Sequence, residues 1–507
     1  MKRFLMWAGA KIRWFFWSWR FPAFVLAIAL LVVLFYGEED WRGAHRWAAT
    51  KEKWEAKGET FDLAKFVPPS IPDDQNLGAL PLFKLEHDSE SDGLLEPLAL
   101  RKAIRRDMPG YNRLSTGSAK PDGSPDLAKM RKDIAQNYAV IFPGAKPPAD
   151  PLEQFDALYP FLKDFLAAAA VRPACRLPGD YTTVPPAARS LGLVVEGIGL
   201  SRVLMYQATL AVDEHRPDLA LADIEANYAV LAGVKRDPTL VAGLVAIGMV
   251  AIIQPAIADG LARHAWSDAQ LEEIERTYES ANFLADRQYA MRGEAAYEIG
   301  NIETSKRVDA NTRHLFRQVW NEDVPISIRL VSLWPRGWWD DNKSQTADFA
   351  LGDLATVDPK ARRAFPVIDR EMREQNERAA ARWDANAPWN YLFTVTSGAV
   401  SNQTTTFACA QVRIDETRIA CALERYRLAH GTFPGSLEAL TPAFIDGVPQ
   451  DVMSGQPYRY RLQPDGAYLL YSIGWPQRDE GGKIAYDNDQ PPRQDFKRGN
   501  WPWTMPK

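Results

Sequence analysis

Leu240-Val241-Ala242-Gly243-Leu244-Val245-Ala246-Ile247-Gly248-Met249-Val250-Ala251-Ile252-Ile253 is a run of fourteen residues without a polar side chain. A helix that is apolar on every side is either the buried centre of a helical domain or a membrane span. The choice fixes the topology of everything after it, because a span here would return the C-terminal half to the side of the membrane on which the chain began. The flanks carry no charge bias of the kind that orients spans: Lys235 and Arg236 precede the run, Asp259 and Arg263 follow it. Gln254 and Pro255 also interrupt it. Residues 239–257 therefore read as a central buried helix, with Gly243 and Gly248 admitting close neighbours.

Outward from that helix, residues 151–313 show apolar positions at i, i+3 and i+4, many alanines and few β-branched runs, the pattern of an all-helical region. Residues 197–214 and 219–233 read as one helix pair, in which Pro217 stops the first helix and Asp218 caps the second. A second pair covers 239–263 and 267–282, with Ser267 and Gln270 spaced as a capping box. Two pairs of similar length resemble a tetratricopeptide-like solenoid, although the signature Trp, Gly, Tyr and Phe positions of that repeat are absent. Residues 151–400 are assigned to this helical domain. Within it, Asp358 to Asp384 alternates arginines with glutamates as a solvated helix does.

The N-terminal end has a second apolar stretch. Phe21 to Tyr36 holds sixteen residues without a charge, preceded by Lys2, Arg3, Lys11, Arg13 and Arg20 and followed by Glu38, Glu39 and Asp40. That asymmetry predicts a cytoplasmic tail (1–20), a transmembrane anchor (21–37) and an exported remainder, the arrangement of a single-pass protein of the bacterial inner membrane. Sixteen residues make about 24 Å of helix, short of a hydrocarbon core of about 30 Å. Trp14, Phe15, Phe16, Trp17 and Trp19 supply an aromatic belt on the cytoplasmic side, and Arg20 can snorkel. A cleaved signal peptide fits less well, since no small-x-small site follows the apolar run. Residues 38–150 read as a charged helix with Trp41, Trp47 and Trp54, then a Pro-rich irregular connector starting near Val67-Pro68-Pro69.

Composition excludes several classes. Three cysteines, Cys175, Cys409 and Cys421, fit neither a disulfide scaffold nor a zinc site, and the last two, on one helix, stand about 18 Å apart. A net charge of −5 without a basic stripe outside the N-terminal tail argues against nucleic acid. Of the seventeen tryptophans, those between Trp334 and Trp339 read as rings that bury area under loops rather than bind sugar.

The final hundred residues begin with a helix through Ala420-Cys421-Ala422-Leu423-Glu424-Arg425-Tyr426 to His430, closed by Gly431. Phe433-Pro434-Gly435-Ser436-Leu437, then Val448-Pro449-Gln450-Asp451, lead to a hairpin of 458–462 and 467–472 around Pro464-Asp465-Gly466. This order resembles the soluble head of the type II secretion major pseudopilins, over about a sixth of the chain. The resemblance implies a long helix packed on a small antiparallel sheet, assigned to residues 401–507. It departs in placing the head at the far end, without the leader glycine and fifth-position glutamate, so prepilin processing is not expected. Residues 36–76 also resemble a family of uncharacterised bacterial membrane-anchored proteins, which implies a shared build and no activity.

No HExxH, Walker loop, GxSxG elbow or dinucleotide fingerprint is present. Six histidines are scattered singly, and His215 and His430 read as dipole partners at helix ends. The one constellation with chemical content is Asp479-Glu480-Gly481-Gly482 with Asp487, Asp489 and Asp495, which offers the oxygen ligands a hard cation wants. Major pseudopilins bind calcium in the corresponding loop, so the resemblance implies calcium there; no other cofactor is expected. Lys483, Arg493, Lys497 and Arg498 offset the charge, and a solvated acidic tail is the alternative. The sequence as a whole reads as mainly α: a transmembrane helix, an α-solenoid-like domain and a small α+β pseudopilin-like domain. The expected role is binding or assembly with envelope proteins, the small-molecule substrate, if any, being unspecified. The alternative is an extracytoplasmic hydrolase with a site between the helical and C-terminal domains.

Overall fold

The computed structural model describes residues 19–87, 95–105, 114, 124–179, 181, 191–306, 333–382, 403–487 and 494–503. They are mainly helical, with a few small antiparallel sheets. In chain order the helices are α1 (Arg20–Glu55), α2 (Leu98–Arg105), α3 (Leu127–Ile141), α4 (Pro151–Leu158), α5 (Phe161–Val171), α6 (Gly192–Asp213) and α7 (Pro217–Val234). They continue as α8 (Leu240–Ala262), α9 (Asp268–Glu279), α10 (Phe283–Ser305), α11 (Arg336–Gly352), α12 (Pro366–Arg382) and α13 (Gln403–His430). Two compact units result. One takes the described residues of Met1–Thr60, Glu298–Phe349 and Glu377–Ala399; the other takes those of Phe61–Tyr297, Ala350–Asn376 and Val400–Lys507.

In the first unit α1 is 36 residues long, about 54 Å at 1.5 Å per residue. Its first half turns apolar side chains outward: Leu26 is 71%, Leu31 65% and Val33 67% exposed. It is long and apolar enough to cross a membrane, and α8 passes the same test. The second half changes character because its charges find partners. Asp40 accepts the backbone N–H of Gly337 at 3.0 Å, and Glu39 accepts Trp338 Nε1–H at 2.9 Å. Arg46 pairs with Asp341 at 2.9 Å, and Lys53 with Asp348 at 2.7 Å. Partners advance in the same direction along both helices, so α1 and α11 run parallel. They cross at a pair of glycines: a Cβ on Gly43 would lie 2.1 Å from the Gly337 carbonyl oxygen, so only glycine lets the backbones approach this closely. Trp334 and Trp339 are buried, and Trp338 packs edge-on against both Trp334 and Phe35. The rings bury area as expected, but Trp338 and Trp339 do so from the first turn of α11 rather than under a loop.

In the second unit α8 packs on α6, α7 and α13. Thr239 caps it by accepting the Ala242 N–H at 3.3 Å, and Ala242, Ala246, Met249, Ile253 and Ile257 are fully buried. Gly243 does admit a close neighbour, since a Cβ there would sit 2.7 Å from the Phe407 ring. Pro255 interrupts the apolar run but not the helix, which continues through it to Ala262 in keeping with the expected span 239–263. One missing N–H is tolerated because neighbours hold the flanking turns, among them Thr417, whose hydroxyl accepts Gln254 Nε2–H at 3.3 Å.

The helix ends differ in detail from expectation. Pro217 is the first residue of α7 rather than only the stop of α6, and Asp218 lies inside the first turn, where it accepts Gln270 Nε2–H at 2.6 Å. His215 and His264 take left-handed φ values of 56° and 53°, closing α6 and α8 by backbone conformation rather than through a dipole contact. His430 does donate from Nδ1 to the Tyr426 carbonyl at 3.0 Å. Ser267 and Gln270 form the full capping box. The helix they open, α9, has its main neighbours in α13 and α7, while α6 and α7 pack as a hairpin.

Two short ladders, β1 (Glu86–His87) with β2 (Leu95–Glu96) and β3 (Val357–Asp358) with β4 (Arg363–Ala364), precede the tail hairpin, which pairs β5 (Arg459–Leu462) with β6 (Tyr468–Ser472), Tyr460 opposite Leu470. A third strand, β9 (Trp501–Pro502), adds to β6, and β7 (Ile484–Tyr486) pairs separately with β8 (Gln494–Gly499). All three cysteines are buried and free, and Cys409 and Cys421 share α13.

Candidate functional site

The tail is organised around α13, whose sequence offers no wide apolar stripe, yet every residue from Ile414 to Glu424 is buried. Three of its buried charges, Asp415, Arg418 and Glu424, are met by protein. Asp415 accepts from Arg362 at 2.8 Å, Gln411 at 3.0 Å and the Tyr458 hydroxyl at 3.1 Å. Arg418 donates to Glu275 at 2.8 Å, and Glu424 is held by Arg427 and by His264 Nδ1 at 2.8 Å. Burial nevertheless raises the Asp415 carboxyl above its usual range against the pull of Arg362, and it raises the Tyr458 phenol well above its usual range, Asp415 adding to that shift.

Next to Asp415, Glu416 is 2% exposed and its Oε1 has no hydrogen-bond partner among the described residues. Burial, then the neighbouring Asp451, pushes its carboxyl well above the ordinary range. Asp451 is the corner on which the tail turns. It accepts the Met453 N–H at 3.0 Å, the Ser472 hydroxyl at 2.8 Å, the Ser454 hydroxyl at 3.2 Å and the Ile473 N–H at 3.2 Å. Two neighbouring acids, both raised by burial, have the composition of a general acid/base pair. Their enclosure makes them a staple between α13 and β6 instead.

The acidic loop is built on a residue that its sequence did not single out. Asn500 is fully buried and uses its whole amide: Oδ1 accepts the N–H groups of Glu480 at 2.8 Å and Gly482 at 3.0 Å, while Nδ2 donates to Ile473 O at 2.9 Å and Arg478 O at 2.7 Å. Asp479 accepts from the Gly481 N–H at 3.0 Å, Tyr471 at 2.8 Å and Arg459 at 3.1 Å, and these bonds, the Gly481 N–H foremost, hold it below the usual carboxylate range. Asp495 is lowered chiefly by Arg498, whose Nε lies 2.6 Å away. Asp479 and Asp495 are thus engaged by different arginines. Glu480 is fixed through its backbone, Asp487 follows β7, and Asp489 lies outside the described residues. Among the described residues no three His, Cys, Asp or Glu side chains are gathered as a metal ion requires. A cation here would have to displace Arg459 from Asp479.

Asp223 of α7 is fully buried, with neither carboxylate oxygen partnered among the described residues, and burial raises it well above its usual range. Among the described residues of this unit, an open cleft of ≈260 Å³ lies on α6, lined by Ile104, Leu114, Val195 and Ile198 with Glu196 and Arg202 as polar members. Glu196 is already bonded by Arg101 at 3.4 Å. The cleft is smaller than the 300 Å³ or so at which drug-sized ligands begin to fit. No family model, curated protein or solved structure matches the chain.

Proposed function

We propose that this chain is a single-pass protein of the bacterial inner membrane, N-terminus inside, whose exported helical and pseudopilin-like parts bind other envelope proteins, with a secretion-type assembly as the setting. The observation that carries the reading is the division of α1 into an outward-facing apolar half and a half fixed by Glu39, Asp40, Arg46 and Lys53 to α11. A continuous helix of that kind holds a folded body at a set height above a bilayer, which suits an assembly component. The solenoid-like character of the helical domain belongs to this proposal, as a source of extended binding surface. Calcium belongs to it too, as a ligand of the Asp479 loop that must compete with Arg459.

The rival is a hydrolase with its site between helical domain and tail. The acids available there are Asp415, Glu416 and Asp451, all 2% exposed or less, which favours a structural role. Two measurements test the proposal. A periplasm-active reporter fused after Lys507 should be active, and the full chain extracted in mild detergent should migrate with a partner in fixed stoichiometry. A lone chain in every extraction, together with turnover of a hydrolase substrate panel, would replace binding with catalysis.

A further inference from the structure

The anchor of α1 is one-sided. Its cytoplasmic end is preceded by five aromatic rings between Trp14 and Trp19, but beyond Tyr36 the helix passes directly to Glu38, Glu39 and Asp40. On that side α1 supplies only Phe35, Tyr36 and, beyond the acids, the exposed Trp41, and its apolar stretch is about 6 Å short of a hydrocarbon core. The fold adds to these from elsewhere in the sequence. The Tyr36 hydroxyl donates to the carbonyl of Leu333, and Phe35 meets the Trp338 ring edge-on with centroids 6.2 Å apart. Leu333 is therefore held at the depth of Tyr36, and it is 59% exposed beside the exposed Arg336. Trp334, next in sequence, stacks into the same aromatic group. Two of the three acids that would oppose membrane contact here are consumed, Glu39 by Trp338 and Arg42 and Asp40 by the Gly337 N–H, while Glu38 stays exposed to the headgroup side.

We infer that Leu333 and Trp338, backed by the buried Trp334, form an interfacial collar that inserts into the headgroup layer around the exit of α1. The collar completes the aromatic belt and lengthens the effective apolar span. Its occupant is the lipid of the bilayer that α1 crosses, because the surface is continuous with the apolar face of the anchor. An exposed leucine and a tryptophan with its N–H already bonded by Glu39 suit the boundary between acyl chains and headgroups. A basic residue at the rim, Arg336, can reach phosphate while its stem lies along apolar surface.

The inference rests on the anchoring proposal, and one experiment separates the two. The three native cysteines are buried, so a single introduced cysteine can be labelled with an environment-sensitive fluorophore in the full chain reconstituted into phosphatidylcholine vesicles. Gly37→Cys reports on α1, where an added side chain meets nothing within 4 Å; Leu333→Cys reports on the collar; and Gly435→Cys, on an exposed loop of the tail, is the aqueous control. With nitroxide lipids labelled at the top of the acyl chain, the labels at Gly37 and Leu333 should lose fluorescence to the same degree, and the label at Gly435 should lose none. Quenching at Gly37 without quenching at Leu333 would overturn the collar and leave the anchor standing. Quenching at neither would overturn both.

Discussion

Replacing Gly337 with alanine sets two terms against each other. Gly337 lies in the first turn of α11, where glycine costs up to about 1 kcal/mol relative to alanine, so helix propensity alone favours the substitution. Packing opposes it. The new Cβ would stand 1.9 Å from the Glu39 carbonyl oxygen and 3.0 Å from Asp40 Cα, both backbone atoms of α1 that cannot rotate away. Relief requires α11 to withdraw by more than 1 Å or so, and overpacking of this kind costs about 1–3 kcal/mol. Withdrawal also stretches the Asp40 bond to Gly337 N–H and the Glu39 bond to Trp338, charge-assisted contacts each worth about 1.5–3 kcal/mol when whole. Partial loss of these added to the overpacking outweighs the propensity gain, for a net cost of about 2 kcal/mol. The readout is hydrogen exchange of peptides within 338–349 in the detergent-solubilised full chain, where such a cost speeds local opening about thirtyfold. Gly43→Ala should do the same, and the double substitution should cost much less than the sum, because both act on one crossing. Gly37→Ala, which meets nothing, should slow exchange if anything. Unchanged or slower exchange in Gly337→Ala would refute the glycine crossing.

Asn500→Ala removes four hydrogen bonds from a fully buried amide and should lower the stability of the tail by about 2–4 kcal/mol, seen as earlier thermal loss of β-sheet signal. Leu423, fully buried on α13, should cost about 2–5 kcal/mol on truncation to alanine, measured by thermal unfolding of the whole chain; no change would put it outside the core. Glu416 and Asp223 are raised by burial, so the folded chain keeps protons that the unfolded chain releases. Their stabilising contribution is complete below the ordinary carboxyl range and is lost as pH climbs through their raised values. Glu416→Gln with Asp223→Asn should flatten the fall in melting temperature from about pH 5 to about pH 8, and a parallel slope in the variant would sink the assignment. Arg459→Gln frees Asp479, so it should enlarge any rise in melting temperature caused by millimolar calcium; no rise in either protein removes the ion from the loop.

What the sequence disclosed was local. The capping box at Ser267, the hairpin around Asp465 and the apolar run of α8 are each written within a few residues, and each is found in place. The helix through Pro255 was legible in the length of its pattern, but one group that steadies it beside the proline, Thr417 on Gln254, lies over 160 residues away. Likewise the role of Trp338 depends on Glu39, 299 positions earlier, and nothing near either residue announces the other.

The acidic loop and α13 show the same limit for charge. Asp479 and Asp495 read as candidate ligands because a one-dimensional string shows carboxylates without their counter-ions; Arg459, from the preceding hairpin, and Arg498 claim them. For α13 a clue was present. Ala408-Cys409-Ala410 and Ala420-Cys421-Ala422 each place three small residues at successive steps of about 100°, and so around most of the helix circumference. Small side chains on every side let other segments approach from every side. Of the charges lying between those two triplets, Arg413 is only partly buried and lies over the Phe496 ring, whereas Asp415, Glu416 and Arg418 have no direction in which to reach water. Asp415 and Arg418 are met by Arg362 and Glu275, while Glu416 stands against Asp451, whose charge opposes its ionisation.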